Sequence, residues 1–465
     1  FSIGLAVDSF DSLIRQADQA QVDINLLVAA GLAIQSDRGG YYDTFRNRLM
    51  FPITDAADRI VGFGGSTLGD DRGPGRAVLR SPDGLRRILT APGQLGFSRA
   101  YVCGDLDVDG PLPETMRALL DSNEGDINVP PAAIPALVTA ARRLGALGRP
   151  LPLPPEEARP KGVLHSMRRD KQVVSHHYDV GNDFYRIILG ESMTYSCARF
   201  ETPETPLAEA QRAKHLLVGR KLGLDDPDHR ARSVGDRPRL LDVGCGWGSM
   251  AIDCASALDV DVVGVTISEE QAARARERVR EAGLEDRVEI RLQDYREVGD
   301  GPFDAISSIG MAEHVGMKRM DTYFRGLYGL LRPGGRMLNH AISSVGGSTL
   351  GRRSFTYRYV FPDGELLDVG DTVTSMERAG FEVRDVEGLR EHYARTLRHW
   401  VANLEAGWDR AVELVGERRA RVWRLYMSGS INGFDDAGVQ IHQTLGVRMH
   451  PGGRSDMPAT RVGWH

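Results

Sequence analysis

The densest chemistry in the chain lies in "LLDVGCGWG", residues 240 to 248, where an acid closes an apolar run and Gly244, Gly246 and Gly248 follow with Cys245 and Trp247 between them. Glycines let a backbone turn sharply and approach a ligand closely, and Asp242 can accept hydrogen bonds from a cationic or amino-bearing group. A dinucleotide fingerprint requires G-x-G-x-x-G, and Ser249 stands where its third glycine belongs, so nicotinamide binding is disfavoured. The pattern suits the amino-acid portion of S-adenosylmethionine better than a pyrophosphate. "TISEEQ" (266 to 271) and "QDY" (293 to 295) each follow an apolar run, which brings them to the carboxyl edge of a sheet, where open α/β folds bind ligands. Asp294 is placed to accept from an adenine amino group. Thr266 ends the second apolar run, a place where an acid would serve ribose hydroxyls.

The elements that must hold these groups are legible from Arg239 onward. The runs "RLLDV", "VDVVGVT", "VEIRLQD", "FDAISSI" and "GRMLNHAI" alternate with helical stretches, of which "EEQAARARERVREAG" is the clearest. Strands alternating with helices predict a mainly parallel sheet covered on both faces.

Further polar residues are scattered over "HHYDVGNDFY" (176 to 185), "MTYSCARF" (193 to 200), "GMAEHVG" (310 to 316), "NHAIS" (339 to 343) and "EHYARTLRHW" (391 to 400). Taken singly, each has a bland explanation. Cys197 alone is more often a small buried thiol, His340 on an apolar strand a satisfied core histidine, and Glu313 with His314 an ordinary helix start.

Together with "LLDVGCGWG" and "VVGVTISEEQ", these stretches resemble the cyclopropane fatty acid synthase family, including the mycolic acid methyltransferases, over about residues 78 to 450. The resemblance implies an α/β, class I S-adenosylmethionine-dependent methyltransferase with a Rossmann-like, mainly parallel seven-stranded sheet and a smaller α+β amino-terminal region. It implies methyl transfer to the cis double bond of an acyl chain in a membrane phospholipid, through a carbocation from which a bound bicarbonate removes a proton. By match to the family's motifs, Cys197, Glu313, His340, Ile342 (through its backbone) and Tyr393 line the bicarbonate site. Tyr195 and Ser196, residues 240 to 248, Thr266, Ile267, Ser268 and Gln271, and Asp294 with Tyr295 hold S-adenosylmethionine. The tail "SGSINGFDDAGVQIHQTLGVRMHPGGRSDMP" resembles the actinobacterial branch, whose products include methylene and 10-methyl chains, so cyclopropane and methylene products are weighed evenly. A methylene product implies a separate reductase as partner, and a homodimer is a further candidate assembly. His176 and His177 are left between a site role and a lid over the cofactor.

The bulk properties agree with an enzyme of two or three domains. The chain has 465 residues, 41% hydrophobic and 26% charged, with a formal net charge of -6, which argues against a surface built wholly to grip nucleic acid. Cys103, Cys197, Cys245 and Cys254 form no C-x-x-C pair, so neither a disulfide framework nor a zinc knuckle is encoded, and no metal site is expected. "GDLDVDG" begins like a calcium loop, but Met116 stands where the loop needs glutamate. No stretch approaches the roughly 20 apolar residues that span a bilayer, so a membrane substrate is met at the surface and the expected location is cytoplasmic, peripheral to the inner face of the membrane. Arg142, Arg143, Arg149, Lys161, Arg168, Arg169 and Lys171, and a second group of Arg352, Arg353 and Arg358, are the basic runs available to anionic headgroups.

Residues 1 to about 71 belong to a different pattern. "VDSFDSLIRQADQAQ" predicts a helix capped by Asp8 or Ser9, and "YYDTFRNRLMFPITDAADRIVGFGG" predicts a β-hairpin with arginines at its mouth. The segment resembles part of bacterial DNA primase, in which Arg46 and Arg48 match basic residues near the template. Nucleic-acid binding or primer synthesis is therefore the competing function, and methylation of another small molecule is a third. Primer synthesis would need a cysteine-rich module and a glutamate-plus-D-x-D domain beside the segment, and neither module is legible in residues 1 to 465, so the primase reading is expected to fail. The division expected is a primase-like fragment (1–71), a synthase amino-terminal region (78–125), a proline-rich connection (126–162), a catalytic domain (163–450) and a tail (451–465), with a join near residues 66 to 80.

Overall fold

A computed structural model describes residues 4–6, 11–29, 32–36, 40–44, 48–54, 60–67, 75–91, 93–121, 142, 145–158, 181–233, 235–346, 351 and 354–460. Arg46, Arg143, Lys161, Arg168, Arg169, Lys171, His176, His177, Arg352 and Arg353 lie outside them. The chain divides into two compact units, Phe1–Pro152 and Leu153–His465.

The first unit contains β1 (Gly4–Ala6), α1 (Ser12–Gln19), α2 (Ile24–Ala29), β2 (Ala33–Gln35), β3 (Tyr41–Asp43), β4 (Arg48–Thr54), β5 (Ile60–Thr67), β6 (Arg76–Leu79), α3 (Pro82–Thr90), α4 (Gln94–Val102), β7 (Leu106–Asp109) and α5 (Leu112–Asp121). The hairpin forms from β4 and β5, with Met50 opposite Gly65, and β1 adds to β4 as a third antiparallel strand. The first helix starts later than its sequence suggests. Asp8 and Ser9 lie outside the described residues; buried Asp43 caps the first turn, its two oxygens accepting the N–H groups of Leu13 and Ile14 at 2.7 and 3.1 Å. A carboxylate thirty residues away satisfies the orphan donors of the first turn.

The carboxylates of "GDLDVDG" have protein partners. Alternation on β7 buries Leu106 and Val108 and turns Asp107 and Asp109 outward, where they meet Arg80 at 3.7 Å and Arg76 at 3.1 Å. Asp105 accepts from Ser81 Oγ and Arg87 Nε, both at 2.8 Å.

The second unit begins inside the expected connection: the Ala158 N–H donates to the Arg358 carbonyl at 2.7 Å. Its elements are α6 (Asn182–Leu189), α7 (Leu207–Lys221), α8 (Pro227–Arg230), β8 (Arg239–Val243), α9 (Ser249–Leu258), β9 (Asp261–Thr266), α10 (Glu269–Glu281), β10 (Val288–Leu292), β11 (Phe303–Ile309), α11 (Ala312–Val315), α12 (Met317–Leu330), β12 (Leu331–Ser344), α13 (Phe355–Tyr359), β13 (Leu367–Asp368), α14 (Val369–Ala379), β14 (Phe381–Gly388), α15 (Arg390–Ala406), α16 (Trp408–Val415), α17 (Glu417–Asp435) and β15 (Val439–Arg448).

One sheet organises this unit, in the order β10-β9-β8-β11-β12-β15-β14, with the two-residue β13 also pairing β12. The first five strands are parallel, while β15 runs antiparallel to both β12 and β14. Alternate residues of β8 feed separate cores: Leu240 joins Val262, Ala305 and Leu338 on one face, and Leu241 and Val243 join Val263, Ile306 and Met337 on the other. Each leucine, valine, isoleucine or methionine among them is worth about 1.5–3 kcal/mol of burial. Covering both faces leaves the strand ends as the place for polar chemistry.

Candidate active site

The carboxyl ends of β8, β9, β10 and β11 open on one cavity. At the end of β8 the chain leaves Val243 through Gly244 and Gly246, with φ of 75° and 54°, a region that side chains other than glycine adopt at a cost. A Cβ on Gly246 would meet nothing within 4 Å, so that face of the turn is open space. Asp242 is fully buried. Its Oδ1 accepts from the Ser307 hydroxyl at 2.7 Å, and Oδ2 has no partner. Burial pushes its pKa up to about 6, against the hydrogen bond from Ser307 and the charge of Lys214.

Thr266 Oγ1 donates to Gln271 Oε1 at 2.8 Å, and both residues line the cavity with Ile267. Ser268 is not part of the wall, because its hydroxyl caps α10 by accepting from the Gln271 N–H at 3.3 Å. Gly248 also lies off the wall, where it caps α9 against Ala275. Asp294 and Tyr295 line the cavity, but Asp294 already gives both oxygens to Arg296, at 2.8 and 2.6 Å. Burial raises the Asp294 pKa, and the Arg296 hydrogen bonds outweigh it to hold the group below its ordinary value. Tyr195, Ser196, Cys245 and Trp247 complete the part of the wall expected to hold a cofactor. Tyr195 lies 5.3 Å from Trp400 and 5.7 Å from Tyr185 between ring centroids.

Gly264, in the middle of β9, supports this turn from below. A Cβ there would sit 2.9 Å from Ile290 Cδ1 and 3.0 Å from Cys245 Cβ. Gly264→Ala is expected to lower stability by about 1–3 kcal/mol through overpacking. Urea denaturation measures that loss, and an unchanged midpoint would show that Cys245 moves aside freely.

Across the cavity, short α11 presents Glu313, whose Oε1 accepts the Ile342 N–H at 2.8 Å while Oε2 has no partner. Burial pushes the Glu313 pKa up to about 7, opposed by the Ile342 N–H. The backbone of Ile342 therefore orients this carboxylate. Tyr393 on α15 shares the wall and packs edge-on against Trp400 at 6.0 Å. Cys197 and His340 are buried and are not among the residues that line the cavity. Burial pushes the Cys197 thiol well up, so it is no thiolate, and its Sγ is 3.6 Å from the Leu389 carbonyl. His340 is held neutral by burial, and neither ring nitrogen has a partner.

Several wall residues escaped sequence reasoning, among them Lys214, His215, Met311, Phe361 and Tyr426. For Lys214 and His215 a signal exists. On α7 the buried stripe Ala210, Gln211, Lys214, His215, Val218 and Lys221 follows helical spacing with polar residues where apolar ones belong.

The strand order, and the acid and glycine turn closing β8, define a class I S-adenosylmethionine-dependent methyltransferase. Comparison narrows the class: the chain belongs to the mycolic acid cyclopropane synthetase family, whose model matches residues 165–444. It is 41% identical to a probable fatty acid methyltransferase of Mycobacterium tuberculosis, over 86% of this chain and 93% of that protein. It is 33% identical to the cyclopropane-fatty-acyl-phospholipid synthase of Escherichia coli, over 80% and 87%. A solved mycolic acid cyclopropane synthase complexed with SAH and CTAB is 33% identical, with a TM-score of 0.54, covering 59% of this chain and 98% of that one. Residues 1–75 match a different family, the N-terminal domain of the DNA primase catalytic core.

Proposed function

We propose that the protein methylates the cis double bond of an unsaturated acyl chain in a membrane phospholipid, giving a cyclopropane or a methylene-branched chain. The observation that carries this reading is a buried carboxylate, Glu313, fixed by the Ile342 N–H on the wall of the cavity that also contains Asp242 and the glycine turn. S-adenosylmethionine supplies an electrophilic methyl group on a sulfonium. An alkene needs no deprotonation to attack it, so the protein's task is to orient the chain, exclude water and stabilise developing positive charge. The alkene π pair forms the new C–C bond, the S–CH₃ pair leaves with sulfur, and a cation remains on the chain. Tyr393, Phe361 and Tyr426 offer aromatic rings to that cation, and ionised Glu313 offers a negative charge. Loss of a proton from the added methyl leaves its C–H pair to close the ring; a hydride shift along the chain before that loss leaves a methylene instead.

Among the described residues Glu313 Oε2 is an unpartnered acceptor and neutral His340 an unpartnered ring N–H donor, a set that fits a small oxyanion carrying its own O–H. Bicarbonate donating its O–H to Glu313 Oε2, with Tyr393 on the same wall and His340 and Cys197 buried off it, would supply the base. The proposed location is the cytoplasmic face of the membrane, and no helix among the described residues is long and apolar enough to cross it. Arg358 is committed to Glu157, at 3.8 Å, so headgroup attraction falls to the other arginines and lysines. Flotation with anionic but not neutral liposomes is the expected result, and equal flotation would remove the electrostatic attachment.

Incubation with S-adenosylmethionine and unsaturated phospholipid liposomes is expected to add one CH₂ per modified chain and to leave saturated lipid unchanged. Methylation of nucleic acid alone would overturn the reading.

A further inference from the structure

The cavity wall contains a buried cation that no carboxylate among the described residues pairs with. Lys214 is fully buried on α7, and its Nζ donates to Ser196 Oγ at 2.7 Å, which leaves two of its three N–H groups for another acceptor. The acids around it are otherwise placed. Asp253 is taken by His215 at 2.6 Å. Asp242 feels the Lys214 charge without contacting it, gives Oδ1 to Ser307 and keeps Oδ2 free. Lys214 and Asp242 thus line one cavity, opposite in charge and unjoined.

Folding alone gives no reason for such an arrangement. A buried ammonium loses its hydration and recovers little from one hydroxyl, and a methionine of similar length would fill the same space. Burial depresses the Lys214 pKa to about 8, against the attraction of Asp242 and Asp253, so at neutral pH the group is mostly charged. A ligand that matches both walls carries a carboxylate and an ammonium, as an α-amino acid zwitterion does.

We propose that Lys214, held by Ser196, binds the carboxylate of the amino-acid end of the S-adenosyl ligand while Asp242 Oδ2 accepts from its ammonium. This rests on the methyltransferase reading and adds to it a cation that selects for the intact amino acid.

Isothermal titration of the full chain tests it with S-adenosylhomocysteine, its decarboxylated analogue and 5′-deoxy-5′-methylthioadenosine, which lacks the whole amino-acid end. For the unaltered protein, decarboxylation is expected to weaken binding about 10- to 100-fold, the range of a charge-assisted hydrogen bond. Lys214→Met is expected to weaken S-adenosylhomocysteine by a similar factor, to leave methylthioadenosine within about threefold, and to bind the decarboxylated analogue as the unaltered protein does. Lys214→Arg should recover part of the loss. Equal weakening of all three ligands in Lys214→Met would make the residue a packing element and overturn the proposal, as would indifference of the unaltered protein to the carboxylate. If the unaltered protein bound none of the three, the S-adenosyl reading itself would fall, and the clamp with it.

Discussion

Glu313→Gln is expected to raise stability and remove most turnover in the same protein. The Glu313 carboxyl is fully buried, and burial lifts its pKa from 4.5 to about 7, with the Ile342 N–H opposing. A carboxyl whose folded pKa lies above its unfolded value favours the protonated folded state. Between pH 4.5 and 7 the folded chain binds more protons than the unfolded one, so this group's contribution to stability falls as pH rises through that window. Above it the deficit is complete, on the order of 1–3 kcal/mol. Glutamine keeps an oxygen for the Ile342 N–H and has no charge to desolvate. Urea midpoints of the two proteins should therefore separate at pH 8 and converge near pH 4.5. Coincident midpoints at pH 8 would show that the carboxyl is hydrated. Turnover should fall by about 10²–10³, as when one preorganised charge is lost from a transition state. In the unaltered enzyme kcat/KM should rise with pH through about 7, and that rise should be absent from Glu313→Gln.

The largest loss of stability is expected from Asp304→Ala. Asp304 is fully buried at the start of β11; its Oδ1 accepts from Arg332 Nε at 2.6 Å and its Oδ2 from the Arg239 N–H at 2.8 Å. It ties the start of β8 to β11 and β12, the strands whose far ends present Asp242, Glu313 through α11, and Ile342. Alanine would leave the buried Arg332 guanidinium without its carboxylate and the first N–H of β8 without an acceptor. Breaking a buried pair from one side costs about 3–5 kcal/mol. The paired change Asp304→Leu with Arg332→Met, which removes both charges, should recover much of that. A loss below about 1 kcal/mol for Asp304→Ala would mean that water reaches Arg332.

What the sequence disclosed was local. The five parallel strands and α10 follow from apolar runs and helical spacing, and the glycine turn was legible because its constraint lies within nine residues. Groups whose partners are distant in the chain were not. Asp43 caps a helix that begins thirty-one residues earlier. Lys214 faces Asp242 and Ser196 from another element, and Arg332 meets Asp304 across the sheet. Asp294 shows the converse. Its position at the cavity was foreseen, yet Arg296, two residues on, occupies both of its oxygens. Cys197 and His340 are buried and do not line the cavity, because a motif fixes where a residue sits in the chain and packing fixes which way its side chain faces.

The central claim is methyl transfer to an alkene carbon with loss of a proton from the transferred group. It is tested most directly by supplying S-adenosylmethionine with a trideuterated methyl and weighing the acyl chains of unsaturated phospholipid. Each product chain is expected to gain CD₂, the third deuterium having left in the step that closes the ring or forms the methylene. Transfer of an intact CD₃ in place of a hydrogen, on lipid or on any other substrate, would contradict a carbocation that is quenched at the added methyl.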